Sequence, residues 1–385
     1  MTPPTPLARV SLRRTTRLAV VALGLLAVAL GACKTRLGGS TGTTGTISGL
    51  PSGAVPVAPY TPPPSPPPVA LGPTGIPTSF ADLAAKCDSA VVFVKALQES
   101  RRQVTNEAVG TAFVFDPSGL ILTNNHVIEG ATEIRIIFAQ KRELPATVVG
   151  RDRPTDIAVL RVEATGLTFV PLGDSGAVRV GDWAVAIGNP FGLSHTVSAG
   201  IISAKGRTNQ DVRGLDDSGY YDFLQTDASI NLGNSGGPLL DIQGRAIGIN
   251  TAIRPQANSI GFAVPIDMVK ELLPRLLKDG RIRRSAIGVV VSGVQSADVT
   301  RLHLPSETGA LIRAVAPGGP ADRGGLQPDD VIVGVGADPI LTPERLRWVA
   351  SLAGIGAKVP VRVVREGRTF EVTLELQALP QQAEE

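Results

Sequence analysis

Residues Gly233-Asn234-Ser235-Gly236-Gly237-Pro238 constrain this chain more than any other stretch. A serine between glycines can present its hydroxyl on a tight turn while backbone N–H groups point into the same space. A serine nucleophile and its anion-stabilising pocket need that arrangement. The stretch has two partners upstream. Asn125-His126 follows an apolar run, and Asp156 opens Asp156-Ile157-Ala158-Val159-Leu160. The chain order is therefore His126, Asp156, Ser235, which supplies a base, an orienting acid and a nucleophile. A Gly-x-Ser-x-Gly elbow on an α/β sheet competes with this reading. It requires an acid and then a histidine after the serine, and a helix directly behind it. Only His303 follows Ser235. Gly236-Gly237-Pro238-Leu239-Leu240 reads as a turn into a strand, since Gly and Pro are poor helix-interior residues.

The order His, Asp, Ser is that of chymotrypsin-like double β-barrels, and the surrounding pattern suits a mainly β fold. Short Val/Ile/Leu runs alternate with Gly, Pro and Asp turns. The expected strands are Ala90–Val94, Gly110–Phe115, Leu120–Thr123, Glu133–Phe138, Ala146–Gly150, Ile157–Val162, Trp183–Gly188, Val197–Lys205, Phe223–Thr226, Pro238–Leu240, Ala246–Asn250 and Ile260–Val264. They are enough for two six-stranded barrels. A helix start is expected at Ser79, as N-cap, with Asp82 near the third helical position. Pro265 opens a second helix whose Val269, Leu272, Leu273, Leu276 and Leu277 share one face, with Gly280 as its stop and Pro274 as a kink. Beyond Arg284 the texture changes to that of a small α+β module. Ile287–Val291, Ala310–Val315, Val331–Val335, Val359–Val364 and Phe370–Leu376 read as strands, and Pro343–Leu352 as a helix. Arg281-Arg283-Arg284 between them reads as a solvated hinge.

The basic balance of the chain, 37 Lys and Arg against 34 Asp and Glu, is misleading. Residues 1–32 hold Arg9, Arg13, Arg14 and Arg17 and no acid, so the remainder has 33 basic against 34 acidic residues. That balance offers no electrostatic case for nucleic acid. The same arginines precede an apolar run from Leu18 to Ala32, too short for a transmembrane span of about 20 residues. Leu30-Gly31-Ala32-Cys33 resembles a bacterial lipobox, which implies cleavage before Cys33 and its lipidation; a plain secretory signal or an uncleaved anchor is the alternative. Lys34 after the cysteine implies outer-membrane sorting in a Gram-negative host. Residues 33–78 then form a tether rich in Gly, Ser, Thr and Pro, with Pro62-Pro63-Pro64-Ser65-Pro66-Pro67-Pro68 in its stiffer half. Its reach is on the order of 40 Å as a coil and ~140 Å fully extended. Cys87 is left without an intrachain disulfide partner and is expected to be a buried structural thiol. His195 and His303 stand alone, without metal-ligand spacing; no metal or cofactor is expected.

Further motifs run in one order: Leu122-Thr123-Asn124-Asn125-His126-Val127, Gly188-Asn189-Pro190-Phe191-Gly192, Gln225-Thr226-Asp227-Ala228 and Gly261-Phe262-Ala263-Val264-Pro265. With Asp156–Leu160 and Gly233–Pro238 they make the chain similar to the high-temperature-requirement (HtrA/Deg) serine proteases over roughly residues 79–377. Gly318-Gly319-Pro320-Ala321, Gly325-Leu326-Gln327-Pro328 and Asp329-Asp330-Val331-Ile332 resemble one PDZ domain. Behind the lipoprotein signal peptide over 1–32 and the tether over 33–78, the resemblance implies a trypsin-like protease domain over 79–268, a helical linker over 269–284 and a PDZ domain over 285–377, which leaves a tail over 378–385. Ser235, His126 and Asp156 would form the catalytic triad, and the N–H groups of Gly233 and Ser235 the oxyanion hole. Ser229 would lie at the base of the S1 pocket, flanked by Ile230. With no carboxylate there, cleavage after small or medium apolar residues is expected. Asp227 is read as structural.

Asn234 cannot make the ion pair that a zymogen's Asp makes with a new N-terminus, so activation by propeptide cleavage is not expected. Loop rearrangement or a constitutively formed site are the alternatives. Ala286-Ile287-Gly288-Val289 matches a PDZ carboxylate-binding loop, with the following strand pairing a peptide by β-augmentation; a PDZ that serves only as a spacer is the alternative. Thr111-Ala112 stands where the family usually carries Ser-Gly, and the loop Ile253–Ile260 is short. Phe80 would contribute to a trimer contact or cap the core. The implied function is ATP-independent endoproteolysis of unfolded or damaged envelope proteins by a lipid-anchored homotrimer. A chaperone or peptide sensor with minor proteolysis, and a selective signalling protease, are the rival readings.

Overall fold

The computed structural model describes residues 77–380 except 101–102, 140, 190–194, 213–214, 217, 232 and 252–259. The leader, Cys33, the tether and most of the Ile253–Ile260 loop lie outside the described residues. Helix α1 (Ala81–Cys87) precedes six strands, β1 (Val91–Ser100), β2 (Gln103–Asp116), β3 (Leu120–Thr123), β4 (Glu133–Ile137), β5 (Glu143–Asp152) and β6 (Ile157–Val162). They close into a barrel in the order β1-β2-β3-β6-β5-β4, with a short helix α2 (Asn125–Ile128) between β3 and β4. A second closed barrel runs β10-β11-β12-β9-β8-β7. Its strands are β7 (Trp183–Gly188), β8 (Thr196–Arg207), β9 (Phe223–Thr226), β10 (Pro238–Leu240), β11 (Ala246–Thr251) and β12 (Gly261–Pro265). The expected mainly β fold with two six-stranded barrels is what the chain adopts.

Alternation along the strands divides the core into layers. Val92, Val94, Val114, Ile121, Ile136 and Leu160 fill the first barrel. Small residues, Ala184, Ala186 and Ala263, join Ile202, Leu224 and Leu239 inside the second. The opposite faces of the same strands, Val91, Phe113, Leu122, Val159, Val185 and Ile187, form a shared cluster between the barrels. The β1–β2 hairpin is longer than the expected Ala90–Val94 and Gly110–Phe115. It pairs from Val91↔Phe113 to Ser100↔Gln103. The extension is held by ladder hydrogen bonds and a Lys95–Glu107 ion pair at 3.5 Å, which apolar alternation does not reveal. At the N-terminal end, Ser79 Oγ accepts the N–H of Ala81 at 3.0 Å, but the N-cap position falls on Phe80, so α1 begins one residue later than expected.

Helix α3 (Ile266–Asp279) runs through Pro274, and Gly280 at φ 71° ends it with its N–H on the Leu276 carbonyl. Ile266, Val269, Leu272, Leu273 and Leu276 join the cluster between the barrels, each contributing roughly 1.5–3 kcal/mol by burial. The segment expected as a helical linker is thus packed as part of the barrel core.

The solvated-hinge expectation fails at Arg284. Arg281 and Arg283 are exposed, but the Arg284 side chain is 7% and Asp152 5% exposed. The guanidinium forks onto the carboxylate at 3.1 and 2.7 Å and lies 4.3 Å from the Tyr220 ring centroid. Its fixed planar fork is what a buried carboxylate can accept in two parallel bonds. Arg284→Ala is expected to lower the unfolding free energy by about 3–5 kcal/mol, because it leaves Asp152 buried without its counter-ion. Urea denaturation followed by circular dichroism measures this; a loss below about 1 kcal/mol would show that the pair behaves as a surface pair.

The C-terminal domain comprises β13 (Ser285–Ala286), β14 (Val289–Gly293), α4 (Ser296–Leu302), β15 (Ala310–Val315), α5 (Pro320–Arg323), β16 (Val331–Val335), β17 (Asp338–Pro339), α6 (Pro343–Leu352), β18 (Lys358–Arg365), β19 (Arg368–Glu375) and β20 (Gln377–Ala378). The main sheet runs β14-β15-β16-β18-β19, so β14 is an edge strand. Helix α6 presses Trp348 into the cluster between the barrels, and its Nε1–H donates to Glu271 of α3 at 2.5 Å. Arg275 of α3 in turn donates to the Leu352 carbonyl at 2.7 Å. Arg284, Trp348 and these bonds seat the C-terminal domain on the barrels.

Candidate active site

The strand β3 is buried at all four positions, and α2 turns the chain immediately beyond it. The N–H of Asn125 and the Nδ2 of Asn124 both donate to the Asp156 carbonyl, at 3.1 and 3.0 Å. That pins the corner carrying His126 to the residue it must face. Asp156 itself closes a 3₁₀ turn over Arg153–Thr155 at φ 58°, a left-handed conformation that Asp tolerates better than most side chains. Its carboxylate is held on both oxygens. Oδ1 accepts the backbone N–H of His126 at 2.9 Å, and Oδ2 lies 2.7 Å from His126 Nδ1. Thr251 Oγ1 adds a third bond to Oδ2 at 3.3 Å. Against a carboxylate, Nδ1 carries the proton, which leaves Nε2 as the basic nitrogen. Burial alone would push the His126 pKa down; the hydrogen bond to Asp156 and the charges of Asp156 and Glu129 outweigh it and raise the pKa above its ordinary 6.5.

Ser235 is buried, in a turn with three successive carbonyls anchored. Gly233 O accepts Thr111 Oγ1 at 2.5 Å, Asn234 O accepts Gly237 N–H at 3.0 Å, and Ser235 O accepts Thr111 N–H at 2.9 Å. Gly236 needs to be glycine: its φ is 85°, and a Cβ there would stand 2.1 Å from the Thr111 carbonyl oxygen and 2.4 Å from Thr123 Oγ1. Thr111 and Thr123 belong to the first barrel, and Thr123 lies three residues before His126. The turn of the second barrel is thereby tied to the corner of the first. Asn234 works locally. Its Oδ1 accepts Asn231 N–H and its Nδ2 donates to the Ser229 carbonyl, both at 3.0 Å.

The other expected site residues fall as follows. Ser229 is exposed, with its carbonyl taking Asn234 Nδ2 and Ser198 Oγ; Ile230 packs on the core of the second barrel. Asp227 Oδ1 accepts Ile201 N–H at 2.7 Å, a bond internal to the second barrel. In the C-terminal domain, Ala286 ends β13 and Val289 begins β14, with Ile287 buried and Gly288 at φ 83° between them. The exposed edge of β14 includes Val290, 63% exposed. His195 pairs with Asp88 at 2.5 Å and His303 caps α4. Cys87 is buried, and burial pushes its thiol up to about 11. Phe80 packs half-buried on Trp183, ring centroids 5.7 Å apart.

The sequence reading missed Thr251, Asn124 as a partner of Asp156, and the bridging role of Thr111. Thr251 and Asp156 are 95 residues apart, and Thr111 and Gly233 are 122 apart, so no local pattern joins them.

The chain matches the model of the trypsin-like peptidase domain over residues 110–249 and that of the PDZ domain over 285–376. It is 40% identical over 287 residues to a probable periplasmic serine endoprotease DegP-like of Chlamydia trachomatis serovar D, covering 74% of this chain and 57% of that protein. The protein of the same description from Hahella chejuensis is 40% identical over 285 residues, covering 73% of this chain and 60% of that one. The chain thus spans less than two thirds of the length of these curated relatives. Among solved structures, HtrA-type protease AlgW with tripeptide aligns at TM-score 0.69 and 36% identity, covering 80% of this chain and 99% of its own. The serine endoprotease from Yersinia pestis aligns at TM-score 0.59 and 33% identity, covering 79% and 99%.

Proposed function

Because the chain belongs to the HtrA family of serine proteases, we propose that it is an ATP-independent serine endopeptidase of the cell envelope that degrades unfolded or damaged proteins. The observation that carries the reading is the His126–Asp156 contact at 2.7 Å, on a barrel whose Thr111 also holds the Gly233 and Ser235 carbonyls of the glycine turn. In this reading Ser235 Oγ attacks the scissile carbonyl, and His126 Nε2 takes its proton and later returns it to the leaving amine. Asp156 holds the ring and stabilises the imidazolium. The N–H groups of Gly233 and Ser235 receive the developing oxyanion, each donor contributing about 3–4 kcal/mol to the barrier reduction.

The C-terminal PDZ domain captures peptide C-termini, through the loop Ala286–Val289 and pairing along the open edge of β14. The periplasmic names of the relatives support an envelope location. Lipidation at Cys33, outer-membrane sorting and a homotrimer extend that reading, the first two resting on the Leu30–Lys34 motif. The uncharged Ser229 supports an S1 pocket for Val, Ala or Ile.

Casein digestion by the purified chain, alongside a peptide-library digest, tests the proposal. The expected result is casein breakdown with cleavage mainly after small and medium apolar residues. Intact casein over long incubation would refute the protease reading, and cleavage dominated by Lys or Arg would refute the S1 assignment alone.

A further inference from the structure

Thr111 is fully buried on β2 and holds the nucleophile turn at two of its carbonyls. Its N–H donates to the Ser235 carbonyl at 2.9 Å. Its Oγ1 donates to the Gly233 carbonyl at 2.5 Å and accepts the N–H of Asn189, just past β7, at 2.9 Å. Its own carbonyl accepts Thr123 Oγ1 at 2.8 Å. The direction of the hydroxyl is forced. A hydroxyl has one hydrogen, Asn189 N–H can only donate and Gly233 O can only accept.

The geometry matters because of what lies on the other side of each peptide. In a trans peptide the carbonyl and the N–H point in opposite directions. The Asn234 carbonyl, held by Gly237 N–H at 3.0 Å, therefore sets the direction of Ser235 N–H. Gly233 sits at φ 110°, a region open to glycine that provides little restraint of its own. Its carbonyl is held by the Thr111 hydroxyl, which fixes the Gly233–Asn234 peptide, and the Thr111 N–H fixes the Ser235–Gly236 peptide, so the Asn234–Ser235 peptide that carries the Ser235 N–H is held between the two. We propose that Thr111 is a positioning residue for the oxyanion hole, its hydroxyl bridging Asn189 N–H and Gly233 O and thereby keeping the Ser235 N–H aimed at the reacting oxygen.

This inference rests on the reading of Ser235 as nucleophile. Valine at position 111 keeps the shape of threonine but can neither donate to Gly233 nor accept from Asn189. The Asn189 N–H would then lie buried and unpaired and the half-buried Gly233 carbonyl would lose its partner, and the turn would rotate to find other partners. Serine keeps both bonds. Loss of an oxyanion donor costs about 10²–10³ in kcat. A donor turned away part of the time should cost about 10- to 100-fold.

The test uses the full chain with an apolar-P1 chromogenic peptide and a peptide boronate, which places a tetrahedral oxyanion in the hole. Thr111→Val is expected to lower kcat about 10- to 100-fold with KM changed less than about threefold, and to weaken boronate inhibition by a similar factor. Thr111→Ser is expected to stay within about threefold of wild type on both readouts. An unchanged kcat in Thr111→Val, a change confined to KM, or a Thr111→Ser variant as slow as Thr111→Val would overturn the proposal. If Thr111→Val does not fold, as judged by circular dichroism, Thr111→Ala carries the same comparison. Folded wild-type protein without peptide cleavage would refute the protease reading itself.

Discussion

Ser235→Ala is expected to cut casein turnover about 10⁶-fold, to a rate at the limit of detection. The substitution removes one oxygen and little else. The carbonyl of residue 235 keeps its bond from Thr111 N–H, and the Asp156 bonds to His126 do not involve Ser235. The protein should therefore melt at nearly the wild-type temperature while losing activity. What remains would come from the oxyanion donors and substrate binding, about 10³–10⁴ over the uncatalysed rate. Fluorescent-casein release by wild type and variant, with thermal denaturation of both, decides the matter. A stable Ser235→Ala protein that still digests casein at near wild-type rate would remove Ser235 as the nucleophile.

Asp156→Asn is expected to lower kcat about 10⁴-fold near neutral pH. Asn has the size of Asp but only one acceptor oxygen, where the carboxylate accepts from the His126 backbone, His126 Nδ1 and Thr251 Oγ1. With the amide nitrogen facing the ring, Nδ1 becomes the acceptor and Nε2 carries the proton, so the ring cannot take a proton from Ser235. The pH profile separates this from a general loss of structure. In the wild type the His126 pKa lies above 6.5. Activity should rise with pH along a limb set above that value, and fall as acid protonates the base. Asn at 156 removes the hydrogen bond and the nearer charge that raise the pKa, so the limb should move to lower pH while the plateau drops. A limb that stays in place would show that Asp156 does not govern the ionisation of His126.

Much of the fold was readable because its signals are local. Ile134 and Ile136 alternate inward along β4, and the leucines of α3 recur on one face. The order of His126, Asp156 and Ser235 needed no structure, and it selected between two folds that share a Gly-x-Ser-x-Gly turn. What stayed hidden was pairing across long separations and burial of charge. Arg284 reads as one more cation in a basic hinge, yet it meets a carboxylate 132 residues away. Thr111 reads as a strand residue, since the groups its hydroxyl serves belong to the other barrel. The length of the β1–β2 hairpin was missed for a related reason: ladder hydrogen bonds leave no mark on composition.

The buried Arg284–Asp152 pair has a consequence for how the two halves of the molecule meet. Removing two ions from water costs nearly as much as their attraction returns, and Arg284 Nε is buried with no hydrogen-bond partner among the described residues. Such a pair adds little strength to a joint that Trp348 already fills. It adds tolerance control instead. Greasy surfaces can slide by a fraction of a side chain with small penalty, whereas a two-pronged fork on a carboxylate has one seating. The pair works as a key in a shaft, fixing the angle at which the C-terminal domain is mounted.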